Sequence, residues 1–278
     1  MFGEHAVVYG KPGIAMAIKP RVFVTVRNTR RSQRAKSAYI DGCFEALGVM
    51  GSVYINSQIP SSSGLGSSAA VTVATLSAIN DEFSLHKTRE DIADMAFEIE
   101  KTVQKGRASP TDTTVSAYGG IVLISGGSRR RLPPQNIHLV IGDSLVSHST
   151  SKMVEQVSEL KKKHPNIVDP VLDAIEGVSM SAIHHLNNPK ELGKYMNMNH
   201  ALLEVLGVGH PQLGKMVLAA RSAGALGAKI TGAGGGGCMV ALCPKPIKHR
   251  IASAIEACDA RAIITGIDTE GARKEKNV

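Results

Sequence analysis

The run Pro60-Ser61-Ser62-Ser63-Gly64-Leu65-Gly66-Ser67-Ser68-Ala69-Ala70 constrains this chain most, because a glycine-bearing turn passes directly into a helix of small residues. Glycines at 64 and 66 let the backbone bend with no Cβ in the way, so successive N–H groups can converge on one cluster of oxygens. The helix predicted over residues 67–80 adds unpaired amides and about half a positive charge at its start. Ser67 and Ser68 offer hydroxyls that can cap the helix, bond a phosphate or ligate a hard cation. A phosphate site satisfies all three properties, and a plain Ser/Gly-rich helix entry shares the composition.

Two other phosphate motifs are weaker readings. Gly64-Leu65-Gly66-Ser67-Ser68-Ala69 formally fits G-x-G-x-x-A, but a dinucleotide fold requires an acidic residue after its second strand, and Asp81 and Glu82 instead end the first helix. The chain has no G-x-x-x-x-G-K-[ST], which excludes an ordinary P-loop.

Two further loops are rich in glycine or small polar residues. In the segment from Gly106 through Ser109 and Pro110 to Thr114, Asp112 either caps a short helix or accepts a proton from a substrate hydroxyl. Glu98 and Glu100 precede it on a predicted helix. The third loop, residues 229–238, joins two apolar strands almost without side chains. Such a loop is entropically costly, so something must need its backbone close by.

Along the chain, strands are predicted at residues 6–9, 14–18, 22–26 and 52–56, forming one mostly antiparallel or mixed sheet. Residues 27–36 carry five cations and read as a solvated edge. Helices over 67–80 and 88–103 cover a sheet face, and a strand follows at 121–124. The Gly, Arg and Pro content of residues 126–134 marks a boundary near residue 135, giving domains 1–135 and 136–278. Beyond it, helical periodicities Met153/Val157/Leu160, Leu172/Ile175/Ser179, Leu192/Tyr195/Met198 and Leu213/Val217/Ala220 lie between strands at 137–141, 229–231, 238–242 and 261–265. The class is α+β or α/β, in two layers.

Composition narrows the function. The chain has 278 residues, a formal charge of +8 and a pI near 9.4, which suits an anionic substrate. Only five Phe, five Tyr and no Trp are present, too few to stack single-stranded nucleic acid. No apolar run approaches the roughly 20 residues of a membrane span, and residues 1–5 offer no secretory leader. Four scattered cysteines without C-x-x-C fit reduced thiols in cytoplasm, and His184-His185 lacks metal-site spacing.

Taken together, the three loops resemble, in order and spacing, the three motifs of the GHMP kinase superfamily. Gly3-Glu4-His5-Ala6-Val7-Val8-Tyr9-Gly10 is similar to the mevalonate kinase form of the first motif, in the shorter archaeal type. The resemblance implies an α+β GHMP kinase fold. Its N-terminal α/β domain would be like the second domain of ribosomal protein S5, its C-terminal α+β domain ferredoxin-like, and the site would lie between them. It implies ATP phosphates in the loop of Pro60, Ser61, Ser62, Ser63, Gly64, Leu65, Gly66, Ser67, Ser68 and Ala69. Mg²⁺ would sit on the Ser68 hydroxyl and the Glu100 carboxylate, with Glu98 as the alternative ligand. Asp112 would be the catalytic carboxylate facing the primary hydroxyl of mevalonate. Glu4, His5, Thr150, Gly234 and Gly235 would line the acceptor site, with Gly234 and Gly235 approaching the phosphate loop most closely. Homodimeric assembly, with no nucleic-acid or membrane partner, is also implied. The family's Pro-Gly-Lys segment before Gly-Glu-His has no counterpart here, and Lys11 is expected to be a turn residue; the expectation is that Met1 is an internal methionine of a longer frame. Other small-alcohol kinases of the superfamily, acting on phosphomevalonate or homoserine, and an inactive nucleotide-binding relative are the alternatives.

Overall fold

The computed structural model describes residues 1–29, 37–60, 64–106, 108–133, 135–147 and 149–275. Ser61, Ser62 and Ser63 of the predicted phosphate loop, and most of the basic segment 27–36, therefore lie outside the described residues.

In the first half, β1 (Gly13–Met16) pairs antiparallel with β4 (Ile121–Ser125), and β4 with β5 (Ser128–Leu132). A separate hairpin joins β2 (Val22–Arg27) to β3 (Ser52–Ser57). The single sheet expected here is thus two. β1 and β2 do not pair, and Ala15 and Met16 of the one and Val22 of the other line a common cavity. Residues 6–9, expected as a strand, form a 3-10 helix (Ala6–Tyr9) closed by Gly10 in the left-handed region. The predicted boundary segment contains β5, whose three arginines suit an edge strand that keeps one side in water.

Four helices pack on this half: α1 (Ala38–Leu47), α2 (Ser67–Glu82), α3 (Arg89–Val103) and α4 (Thr111–Tyr118). Thr88 starts α3 with a reciprocal cap: its hydroxyl accepts from Asp91 N at 3.1 Å, and the Asp91 carboxylate accepts from Thr88 N at 2.8 Å. Ile92, Ala93, Ala96, Ile99 and Glu100 recur every three or four residues and make the buried face of α3. That period carries Glu100 inward and leaves Glu98 exposed beside Lys101. Leu76, Ile79, Phe44 and Val73 close the core between α1, α2 and α3, each at most 1% exposed. Burying each such side chain is worth about 1.5–3 kcal/mol.

The second half is a four-stranded antiparallel sheet in the order β7 (Gly227–Ile230), β8 (Cys238–Leu242), β6 (His138–Asp143), β9 (Arg261–Gly266). With α9 (Lys248–Glu256) between β8 and β9, this is the ferredoxin-like order expected of the C-terminal domain. Between β6 and β7 run α5 (Thr150–Lys163), α6 (Pro165–Ile183), α7 (Pro189–Val205) and α8 (Pro211–Ser222). Lys161, Lys162 and Lys163 occupy the last turn of α5, where cations oppose the negative helix end. After β9 the chain returns to the first half: Asp268 N donates to Ala17 O at 3.0 Å and Gly120 N to Asp268 O at 2.7 Å. Among the described residues no helix is long and apolar enough to cross a membrane.

Candidate active site

Helix α2 begins at the phosphate-loop glycines, with Gly66 as its N-cap at φ 67° and no side chain capping it. Among the described residues no side chain takes its first amides, which leaves them for another acceptor, as an anion site requires. Only glycine fits position 66 without strain, and a Cβ there would stand 3.3 Å from the Asp112 carboxyl carbon. The phosphate loop and Asp112 are therefore direct neighbours.

Asp112 does not cap α4, since Pro110 holds that position and Asp112 is the second helical residue. There the positive end of the helix favours its ionised form. Its side chain is open to the cavity that Gly64, Leu65, Gly66 and Thr231 also line, while protein surrounds it on the other sides. Loss of solvent to the protein packed around that cavity raises the carboxyl above its ordinary value, and the Glu4 charge pushes it the same way.

Ser68 Oγ donates to Glu100 Oε1 at 2.6 Å, joining the first turn of α2 to the buried face of α3. Burial pushes the Glu100 carboxyl up to about 7, the Ser68 hydroxyl lowers it, and the charge of Asp112 raises it further. A carboxyl held near neutrality by lack of solvent and a second negative charge is a site that a cation would relieve. One hydroxyl and one carboxylate give a hard divalent ion two oxygen ligands, and phosphate and water complete such a shell. Of the two expected candidates, Glu100 stands at Ser68, whereas Glu98 pairs with Lys101 on the outer face of α3.

The third loop meets the first at Gly232, where an added Cβ would lie 3.0 Å from Gly64 O. Gly234 and Gly235, expected to make that approach, instead face the second half. A Cβ would come within 2.1 Å of Val208 O at Gly234 and 2.4 Å of Met153 Sδ at Gly235. Sequence cannot rank six residues of near-identical type, because the ranking is set by which neighbour the loop leans on.

The first motif reaches the same place from the other end of the chain. His5 is buried, at φ 61° and ψ −44°, a conformation that costs a non-glycine residue energy and that persists only when its surroundings impose it. Its Nε2 lies 2.9 Å from Ala233 O. Burial lowers its pKa, so the ring is neutral at pH 7, and Ala233 O fixes Nε2 as the protonated nitrogen. Glu4 is ion-paired with Lys229, which is fully buried on β7. Reading the sequence does not reveal Lys229, since lysine at a strand end looks like any surface cation. Its only signal is its position next to a glycine loop. Lys11 is a partly exposed ion-pair partner of Asp173 and Glu176, as a turn residue would be. Thr150 is exposed in the first turn of α5, whose Met153 lies against Gly235.

A glycine bend opening α2, a carboxylate at its mouth and a hydroxyl–carboxylate pair beside it, set between an α/β half and a ferredoxin-like half, are the frame of a small-molecule kinase of GHMP type. The profile described as "GHMP kinases N terminal domain" matches residues 33–120, and "GHMP kinases C terminal" matches residues 179–260. The chain is 38% identical, over an alignment 319 positions long including gaps, to mevalonate kinase of Thermococcus sibiricus, covering 99% of this chain and 95% of the relative. It is 39% identical to that of Methanothermobacter thermautotrophicus, covering 88% and 87%. Its structure superposes on Methanococcus jannaschii mevalonate kinase with a TM-score of 0.83 at 26% identity, covering 96% and 95%. Against L. major mevalonate kinase in complex with R-mevalonate the TM-score is 0.85 at 25% identity, covering 98% and 94%. The chain belongs to the mevalonate kinase family of the GHMP kinases.

Proposed function

We propose that this protein transfers the γ-phosphoryl group of ATP to the primary hydroxyl of (R)-mevalonate. One observation carries the reading: Gly66, which starts the anion-binding helix, packs directly on Asp112. An anion bound to the amides of α2 therefore has its end beside a carboxylate that can accept an alcohol proton. Phosphoryl transfer asks little covalent chemistry of the protein, so alignment and charge stabilisation supply most of the rate.

In this reading residues 60–69 cradle the triphosphate and Asp112 orients and deprotonates the alcohol. Glu4 and His5 line the acceptor side, with Thr150, Gly234 and Gly235 as outer members. The donor set at Ser68 and Glu100 fits Mg²⁺, which when bound neutralises phosphate charge. The raised pKa of Glu100 supports that fit. The same reading takes residues 1–135 and 136–278 as the two domains, and the enzyme as cytoplasmic and homodimeric. Buried thiols at Cys43, Cys243 and Cys258 that form no disulfide accord with a reducing compartment.

ATP consumption measured with mevalonate, phosphomevalonate, homoserine and galactose tests it. Turnover with mevalonate alone is expected; turnover only with another acceptor reassigns the substrate, and nucleotide binding without turnover on any of them rejects the kinase reading.

A further inference from the structure

Lys229 sits in the middle of the molecule with none of its side chain exposed. Along β7, Ala228 and Ile230 join the large core of the second half, and Lys229 between them points to the opposite side of the strand. Its Nζ donates to Glu4 Oε1 and, at 2.7 Å, to Ile230 O. Lysine is almost never buried unless paired, and an apolar residue of similar size would fill the space without stripping an ammonium of water. The residues spent here thus point to a task other than stability.

The partner shows what that task is. Glu4 Oε1 is taken by Lys229, but Glu4 Oε2 is buried and has no hydrogen-bond partner among the described residues. A buried carboxylate oxygen without a donor is costly unless a donor arrives. Three residues after Ile230 the same segment holds His5 through Ala233 O, so residues 229–233 grip both side chains of the first motif. The titratable groups facing Glu4 are the Lys229 ammonium, the His5 ring and, at longer range, the Asp112 carboxylate. Burial drives the Glu4 carboxyl up, yet the Lys229 ammonium opposes it and the carboxyl lies below its ordinary value. Burial also lowers Lys229, and Glu4 opposes that shift.

We propose that Lys229 is a positioning residue of the acceptor pocket: it grips Glu4 Oε1 and so reserves Glu4 Oε2 to accept a hydrogen bond from a hydroxyl of the bound alcohol. This rests on the small-alcohol kinase reading above. The role belongs to acceptor binding and not to nucleotide binding, because Lys229 touches the first motif and not the phosphate loop.

The test is calorimetric binding of mevalonate and of a non-hydrolysable ATP analogue, between pH 5 and 9, to the wild-type chain, Lys229→Met and the double variant Glu4→Gln/Lys229→Met. Lys229→Met is expected to weaken mevalonate at least tenfold at pH 7, leave nucleotide affinity within twofold, and move the acid limb of mevalonate binding to higher pH. The double variant, with no buried net charge, is expected to regain the melting temperature that Lys229→Met loses while staying weak for mevalonate. Mevalonate affinity within twofold of wild type in Lys229→Met, or affinity that returns with stability in the double variant, overturns the proposal. A wild-type chain that ignores mevalonate but phosphorylates another small alcohol overturns only the substrate assignment, and the same variants measured with that alcohol then decide the role of Lys229.

Discussion

Ser68 and Glu100 lie 32 positions apart in sequence, yet their side chains meet in a 2.6 Å hydrogen bond at the junction of α2 and α3. The contact ties the start of the anion-binding helix to a carboxyl held near neutrality, and it makes metal affinity and protein stability opposing functions of pH. Glu100 titrates near 7 in the folded chain against an ordinary 4.5. The folded state therefore holds a proton that the unfolded state has released between these values, and stability falls as pH rises through that window. Above pH 7 the loss is about 3 kcal/mol. Glu100→Gln is expected to raise the metal-free melting temperature at pH 8 and to flatten its pH dependence between about 4.5 and 7. Denaturation in the presence of a chelator, at pH 5 and pH 8, checks both.

The same variant should need more Mg²⁺ for half-maximal rate and lose the pH dependence of that requirement. Mg²⁺ titration of wild type is expected to show affinity rising with pH up to about 7, because the ion requires the ionised carboxylate. Ser68→Ala should keep the pH trend and need more Mg²⁺ for half-maximal rate. An unchanged Mg²⁺ requirement in either variant would remove that residue from the metal site.

Asp112→Asn is nearly isosteric and keeps the loop contact at Gly66. It is expected to cut kcat by about 10² to 10⁴, the usual worth of a positioned base, and to leave nucleotide affinity within a few-fold. Pre-steady-state phosphoryl transfer and fluorescent-nucleotide binding separate the two quantities.

Two glycines of one loop should fail in different ways. Gly232→Ala would drive a Cβ toward Gly64 O at 3.0 Å, displacing the phosphate loop, and is expected to raise the KM for ATP. Gly234→Ala would meet Val208 O at 2.1 Å at a backbone φ of 76°, and is expected to cost stability before it affects kinetics. Thermal melts paired with ATP titrations distinguish them.

Much of this arrangement is legible in residues near one another in the chain. The start of α2 at Ser67, the Thr88 cap and the strand Cys238–Leu242 follow from local spacing, because capping and periodicity act over a few residues. Glu100 as an inward residue follows from the same period once α3 is recognised. The failures are non-local or ambiguous. The apolar run Ala6–Tyr9 reads as a strand, but Gly3 must pack on Pro12 O and Gly13, and Gly10 turns left-handed, so the segment coils. Helix α1 is not legible in the sequence because Gly42 and a flanking basic stretch dilute its pattern; only in the fold does Gly42 appear as the place where Ile99 leans in. The pairing of Glu4 with Lys229 spans 225 positions and leaves no trace in either neighbourhood.

The central claim is that the amides opening α2 hold a triphosphate whose end faces an alcohol on Asp112. Crystals of the ternary complex with a non-hydrolysable ATP analogue, Mg²⁺ and mevalonate test it most directly. The account predicts phosphate oxygens on the amides of residues 64–68, the ion on Ser68 and Glu100, and the primary hydroxyl within hydrogen-bond reach of Asp112. Polyphosphate bound elsewhere, or an acceptor hydroxyl that Asp112 cannot touch, would contradict it.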